Sequence, residues 1–194
     1  MGLLRAFLAV ELPTPLQNTI HTATVGLRQA LGNDLIRWVP AHNVHLTLKF
    51  LGDVSPSSLD LIKHMLETEA AQCQPFDVRV EGIGSYPNPR RPRVLWIGLE
   101  APATLGSLQR AIEAAAARLG YEPEERSFSP HLTIGRVRQK VSAADQQKIR
   151  SALEGLTIGV LGMTRVDAIH LFKSELRAEG SIYTKLFSAP LQEN

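Results

Sequence analysis

Cysteine is almost missing from this chain: Cys73 is the only one in 194 residues. That excludes a disulfide scaffold and any zinc centre built on thiolates, and it fits a reducing, cytoplasmic setting. No stretch approaches the roughly 18 consecutive apolar residues that a membrane helix needs. The opening MGLLRAFLAVELP imitates a signal peptide, but Arg5 interrupts its apolar run and Glu11 closes it without a small-residue cleavage pattern. A buried strand is expected there instead. Net charge is small, +2 overall, and a cut after Ile97 leaves +1 on each side, so no global field attracts a polyanion. HExxH, HxH, the P-loop lysine and a full GxGxxG are all missing too. No metal or cofactor is expected.

What is present is an ordinary globular composition, 44% hydrophobic and 21% charged, long enough for one domain with its own core. The chain also repeats itself. Arg5–Pro13 (RAFLAVELP) and Arg93–Pro102 (RVLWIGLEAP) both read as apolar strands, and a helical pattern follows each. Leu16, Ile20, Leu27 and Leu31 carry the first helix; Leu105, Leu108, Ile112 and Leu119 carry the second. Gly32 and Gly120 stop them at matching places. Then come His45-Leu46-Thr47-Leu48 and His131-Leu132-Thr133-Ile134, each followed by a Ser-led helix, from Ser55 and Ser142, and by further strands. The order strand, helix, HxTx strand, helix, strands occurs twice. A tandem duplication about a pseudo-two-fold axis is expected, with halves of about 1–92 and 93–194 in one compact body. The intervening YPNPRRP reads as a loop.

Alternation places His45 and Thr47 on one face of a strand and Leu46 and Leu48 on the other; His131 and Thr133 repeat this. Two imidazoles and two hydroxyls around one cavity suit in-line displacement at phosphorus. A neutral imidazole takes a proton from water, an imidazolium protonates the leaving alkoxide, and the hydroxyls donate to the non-bridging oxygens. The near-symmetry of the halves leaves open which histidine is acid. Two basic clusters could add phosphate contacts: Arg90, Arg91 and Arg93 in the loop, and Arg136, Arg138 and Lys140 after the second motif.

With both HxTx motifs in the contexts NVHLTLKFLGDV and FSPHLTIGRVR, the chain resembles the 2H phosphoesterase superfamily. Within it, the chain looks like the bacterial and archaeal 2'-5' RNA ligase group of RNA 2',3'-cyclic phosphodiesterases. The resemblance extends from RAFLAVELP to HLFKSELRAEGSIYTKL. It implies a bilobal α+β fold: two largely antiparallel sheets with outer helices around a central cleft. It also implies metal-free opening of a 2',3'-cyclic phosphate to a 2'-phosphate. By the same resemblance His45 is the general acid, His131 the general base, and Thr47, Thr133 and Arg136 are phosphate ligands. Strict alternation would turn Arg136 away from the histidines, so a bulge or strand end at Gly135 is needed to re-aim it. The matching residue in the first half is Phe50, which cannot bind phosphate.

The substrate implied is RNA with a cyclic-phosphate end, or a cyclic nucleotide. A relative acting on ADP-ribose cyclic phosphate or 2'-5' oligoadenylate, or a non-catalytic RNA-end binding module, are the rivals. No membrane or obligate protein partner is indicated, and a monomer is expected. His42, His21 and His64 read as surface residues, and His170 as buried or cleft-lining. Trp38, Phe7, Tyr86 and Tyr183 read as core residues able to stack on a base.

Overall fold

The computed structural model describes residues 2–177 and 180–192. Its strands are β1 (Leu4–Glu11), β2 (Ile36–Trp38), β3 (His45–Val54), β4 (Phe76–Tyr86), β5 (Val94–Glu100), β6 (His131–Val137), β7 (Val160–Val166), β8 (Ala168–Arg177) and β9 (Gly180–Pro190). The helices are α1 (Thr14–Ala23), α2 (Val25–Leu35), α3 (Leu59–Ala70), α4 (Ala103–Arg118) and α5 (Ala143–Glu154).

The fold is α+β, but the two separate sheets expected from the sequence are one. All nine strands join a single curled antiparallel sheet, a half-barrel, ordered β7-β4-β5-β6-β3-β1-β8-β9 with β2 added to β6. The reason lies inside the repeated motifs. Leu46 of β3 pairs with Leu132 of β6, which joins the ladders of the two repeats edge to edge. The sheet also crosses the boundary expected near residue 92. β4, which precedes it in sequence, pairs with β5 and β7, while β8 and β9 extend the sheet from β1.

Helices cover one face of this sheet. Leu105, Leu108, Ile112, Ala115 and Ala116 of α4 recur at helical spacing and are buried, as are Ile62, Met65, Leu66 and Ala70 of α3. They pack with Leu8, Leu46, Leu48, Leu95, Ile97, Leu132 and Ile134 in one continuous core. Each fully buried Leu or Ile in it contributes about 1.5–3 kcal/mol of transfer free energy. The first helical stretch is broken in two at Thr24, whose hydroxyl bonds back to Ile20 O at 2.9 Å. Ser142 caps α5 through a reciprocal pair of bonds with Asp145. The opposite, concave face has a small aromatic cluster of its own, Phe7, Ala9 and Phe172 with Tyr183 against them. Along the middle of that face run the two motifs.

Candidate active site

β3 and β6 share one burial rhythm. Leu46, Leu48, Leu132 and Ile134 are buried on the helix side, and His45, Thr47, His131 and Thr133 are half-buried on the concave side. The antiparallel register of the Leu46–Leu132 pair sets His45 across from Thr133 and Thr47 across from His131. Among the described residues no hydrogen bond engages either threonine hydroxyl, so both are available to a ligand.

The rhythm then slips by one residue in both strands. The β1–β3 ladder passes from Ala9–Thr47 to Leu8–Lys49, leaving Leu48 as an extra residue. The β5–β6 ladder passes from Trp96–Thr133 to Leu95–Gly135, leaving Ile134 extra. Each bulge buries two successive residues and returns the next one to the histidine face. In β6 that residue is Arg136; in β3 it is the largely exposed Phe50. Gly135 is required at its place, since a Cβ there would lie 2.7 Å from Ile36 Cγ2 and 2.9 Å from the Trp38 ring. Lys49, at the matching position, instead runs into the protein. Its Nζ pairs with Glu113 and donates to Glu122 O at 2.8 Å.

The two imidazoles are held alike. His45 Nδ1 lies 2.7 Å from Asn43 O, and His131 Nδ1 lies 2.7 Å from Ser129 O. A carbonyl only accepts, so Nδ1 carries the proton in both rings and Nε2 is the nitrogen left to exchange protons with a substrate. Each ring also meets a tyrosine edge-on: Tyr183 with its centroid 5.3 Å from His45, and Tyr86 4.9 Å from His131. The supports of His45 are themselves tied down. Gln17 Nε2 of α1 donates to Val44 O at 3.1 Å, and Asn43 Nδ2 donates to Ser181 O at 2.8 Å. Beside His131, the Tyr86 and Ser129 hydroxyls are 2.7 Å apart.

The surroundings of His45 are largely aromatic. His45 stacks on Phe7 at 4.8 Å, with Phe172 and Tyr183 around it. Burial is the main cause that pulls its pKa down to about 4; the Arg136 charge adds to the effect, and the Asn43 hydrogen bond opposes it. Arg136 is exposed, and desolvation lowers its own pKa. Tyr183 opposes that shift and the Arg37 charge adds to it.

Arg138 turns its Nε to Asn33 O at 2.7 Å. Arg90, Arg91 and Arg93 sit on the β4–β5 connection, where Asn88 Oδ1 accepts from the backbone of Arg90 and Arg91. His42, His21 and His64 are exposed. His170 is half-buried beside Ser188 Oγ at 2.8 Å; burial and the Lys185 charge lower its pKa, against Glu11 and Asp167. Trp38 packs against the main core and Phe7 is buried on the concave face. Asn43, Ser129 and Arg37 were not foreseen. The first two act through backbone carbonyls, which leave no mark in side-chain patterns. Arg37 sits on a strand too short to show a period. Among the described residues no three His, Cys, Asp or Glu side chains gather as a metal site would require. No helix among them is long and apolar enough to cross a membrane.

Known proteins resemble this chain in sequence and in fold. An RNA 2',3'-cyclic phosphodiesterase of Methanothermobacter thermautotrophicus is 35% identical over 94% of this chain and 96% of its own. One from Archaeoglobus fulgidus is 30% identical over 94% and 98%. Among solved structures, Escherichia coli LigT complexed with 3'-AMP superposes with a TM-score of 0.75 at 25% identity, covering 98% of this chain and 99% of that one. A Thermus thermophilus protein, TT0787, gives 0.76 at 26% identity, covering 96% and 97%. The profile of the 2'-5' RNA ligase superfamily matches residues 12–177, and the chain belongs to that family.

Proposed function

We propose that the protein hydrolyses a terminal RNA 2',3'-cyclic phosphate to a 2'-phosphomonoester, with no metal and no nucleotide cofactor. The observation that carries this reading is the pair of HxT motifs joined at Leu46 and Leu132, each histidine bound through Nδ1 to a carbonyl. The matching bulges in β3 and β6 support a duplicated body, halves about 1–92 and 93–194, with a pseudo-two-fold axis through this seam.

In the proposed step, His131 Nε2 takes a proton from water as the water oxygen bonds to phosphorus. The bond from phosphorus to the 3'-oxygen breaks, and His45 gives that oxygen a proton. Thr47, Thr133 and Arg136 donate to the non-bridging oxygens, where negative charge accumulates. The acid role of His45 rests on family likeness, and its environment sets a condition on it. In the free protein His45 is neutral at pH 7, so its proton must come with the substrate. An anionic phosphate against Arg136 offsets the repulsion and raises the His45 pKa. With an RNA 5'-hydroxyl in place of water as the attacking nucleophile, the same displacement of the 3'-oxygen forms a 2'-5' linkage.

The test is incubation with 2',3'-cyclic nucleotides and a cyclic-phosphate-ended RNA in chelator, followed by identification of the phosphomonoester isomer. A 2'-phosphate is expected. Loss of turnover in chelator, restored by one divalent metal, or a 3'-phosphate product, refutes the mechanism.

A further inference from the structure

β2 carries a residue that this mechanism does not use. Its flanking side chains anchor it to the body: Ile36 is fully buried, and Trp38 donates Nε1–H to Gly32 O at 3.1 Å beneath the Arg28 guanidinium, 4.8 Å from its ring. Alternation then turns Arg37, between them, to the other face, and it is exposed there. Its ladder partner is Arg136. Paired residues share a face with their Cα atoms about 4.5–5.5 Å apart, and like charges so placed repel.

Among the described residues no acid offsets this. Arg79 pairs with Glu100, Arg118 with Glu69 and Arg150 with Glu154. Among the described residues neither Arg37 nor Arg136 has an ion-pair or hydrogen-bond partner. The fold therefore holds two uncompensated guanidinium groups side by side, one of them close enough to His45 to act on its charge. Planar guanidinium groups bind phosphate oxygens in pairs of hydrogen bonds, and two long side chains rooted this close can splay to neighbouring phosphates of one strand.

We propose that Arg37 and Arg136 form a two-site phosphate clamp: Arg136 on the reacting cyclic phosphate, Arg37 on the phosphodiester one nucleotide to its 5' side. The clamp makes the site prefer the end of an RNA strand to a cyclic mononucleotide, which has no second phosphate. This rests on the cyclic-phosphodiesterase reading and adds a second phosphate subsite to it.

The experiment compares kcat/KM on a 2',3'-cyclic mononucleotide and on a short oligoribonucleotide with the same cyclic end. Arg37→Gln is expected to lower the oligonucleotide-to-mononucleotide ratio about tenfold or more, the usual worth of a charged hydrogen bond. Arg37→Lys is expected to restore part of the ratio. Anisotropy with a labelled, 2'-phosphate-ended oligoribonucleotide gives a reading independent of turnover. There Arg37→Gln is expected to weaken binding and flatten the log K against log salt slope by about 0.7, one single-strand phosphate contact. An unchanged ratio and slope overturns the clamp. Equal losses on both substrates overturn it as well, in favour of both arginines on one phosphate. If the native protein turns over neither substrate, the cyclic-phosphodiesterase reading fails, and the anisotropy series alone decides whether Arg37 grips a second phosphate.

Discussion

The depressed pKa of His45 ties the site to the stability of the fold, and acid exposes the link. The ring falls from its ordinary 6.5 to about 4, mainly because Phe7, Phe172 and Tyr183 desolvate it. At about 1.4 kcal/mol per unit, this amounts to about 3 kcal/mol in favour of the neutral ring in the folded state. The unfolded chain, with its normal pKa, takes up this proton first as pH falls below 6.5. The stability contribution is therefore intact above that value and lost progressively down to about 4. The assay is urea unfolding of the native protein and of His45→Asn, whose amide keeps a donor toward Asn43 O, at steps from pH 7.5 to 4. Groups common to both proteins cancel in the difference. The native protein is expected to lose about 3 kcal/mol more than the variant over that range. In parallel, the His45 ring, followed by NMR, is expected to titrate near 4 when free and higher with inorganic phosphate bound. Parallel unfolding curves together with a free ring that titrates between 6 and 7 would refute the argument.

Replacement of His45 or His131 by Ala is expected to lower kcat by about 10²–10⁴ each, and the double variant by less than the product. An activated aryl phosphodiester, whose leaving group needs no proton, is expected to rescue His45→Ala alone; rescue of His131→Ala instead reverses the two roles. Gly135→Ala forces a Cβ against Ile36 and Trp38 and is expected to cost about 1–3 kcal/mol in urea unfolding, with kcat/KM falling because Arg136 is re-aimed. Native stability in this variant would show that β2 yields without strain.

The facing of the candidate site could be read in the sequence because a strand's period of two sorts His45 from Leu46 and Thr47 from Leu48 without any tertiary knowledge. The family likeness rests on the same residues. The join between the repeats was not readable: Leu46 and Leu132 look like any inward-facing leucines, and nothing local states that they pair across the seam. The bulge in β6 was hinted at by Gly135. Its counterpart at Leu48 lies in an unbroken run, Leu48-Lys49-Phe50, where only the ladder with β1 reveals it. Tyr183 reaches His45 from β9, a distance in sequence that no periodicity spans. Arg37 needed its partner Arg136 to acquire meaning.

The position of β4 in the sheet bears on how the chain is made. It is synthesised before both of its neighbours, β5 and β7. While the ribosome works through those later residues, at about 5–20 per second, β4 presents two unpaired edges and its alternate apolar residues Phe76, Val78 and Val80. Nor can β1 be flanked by β8 until residues Ala168–Arg177 have emerged. Emergence of β7 and β8 is thus the moment at which this sheet can close.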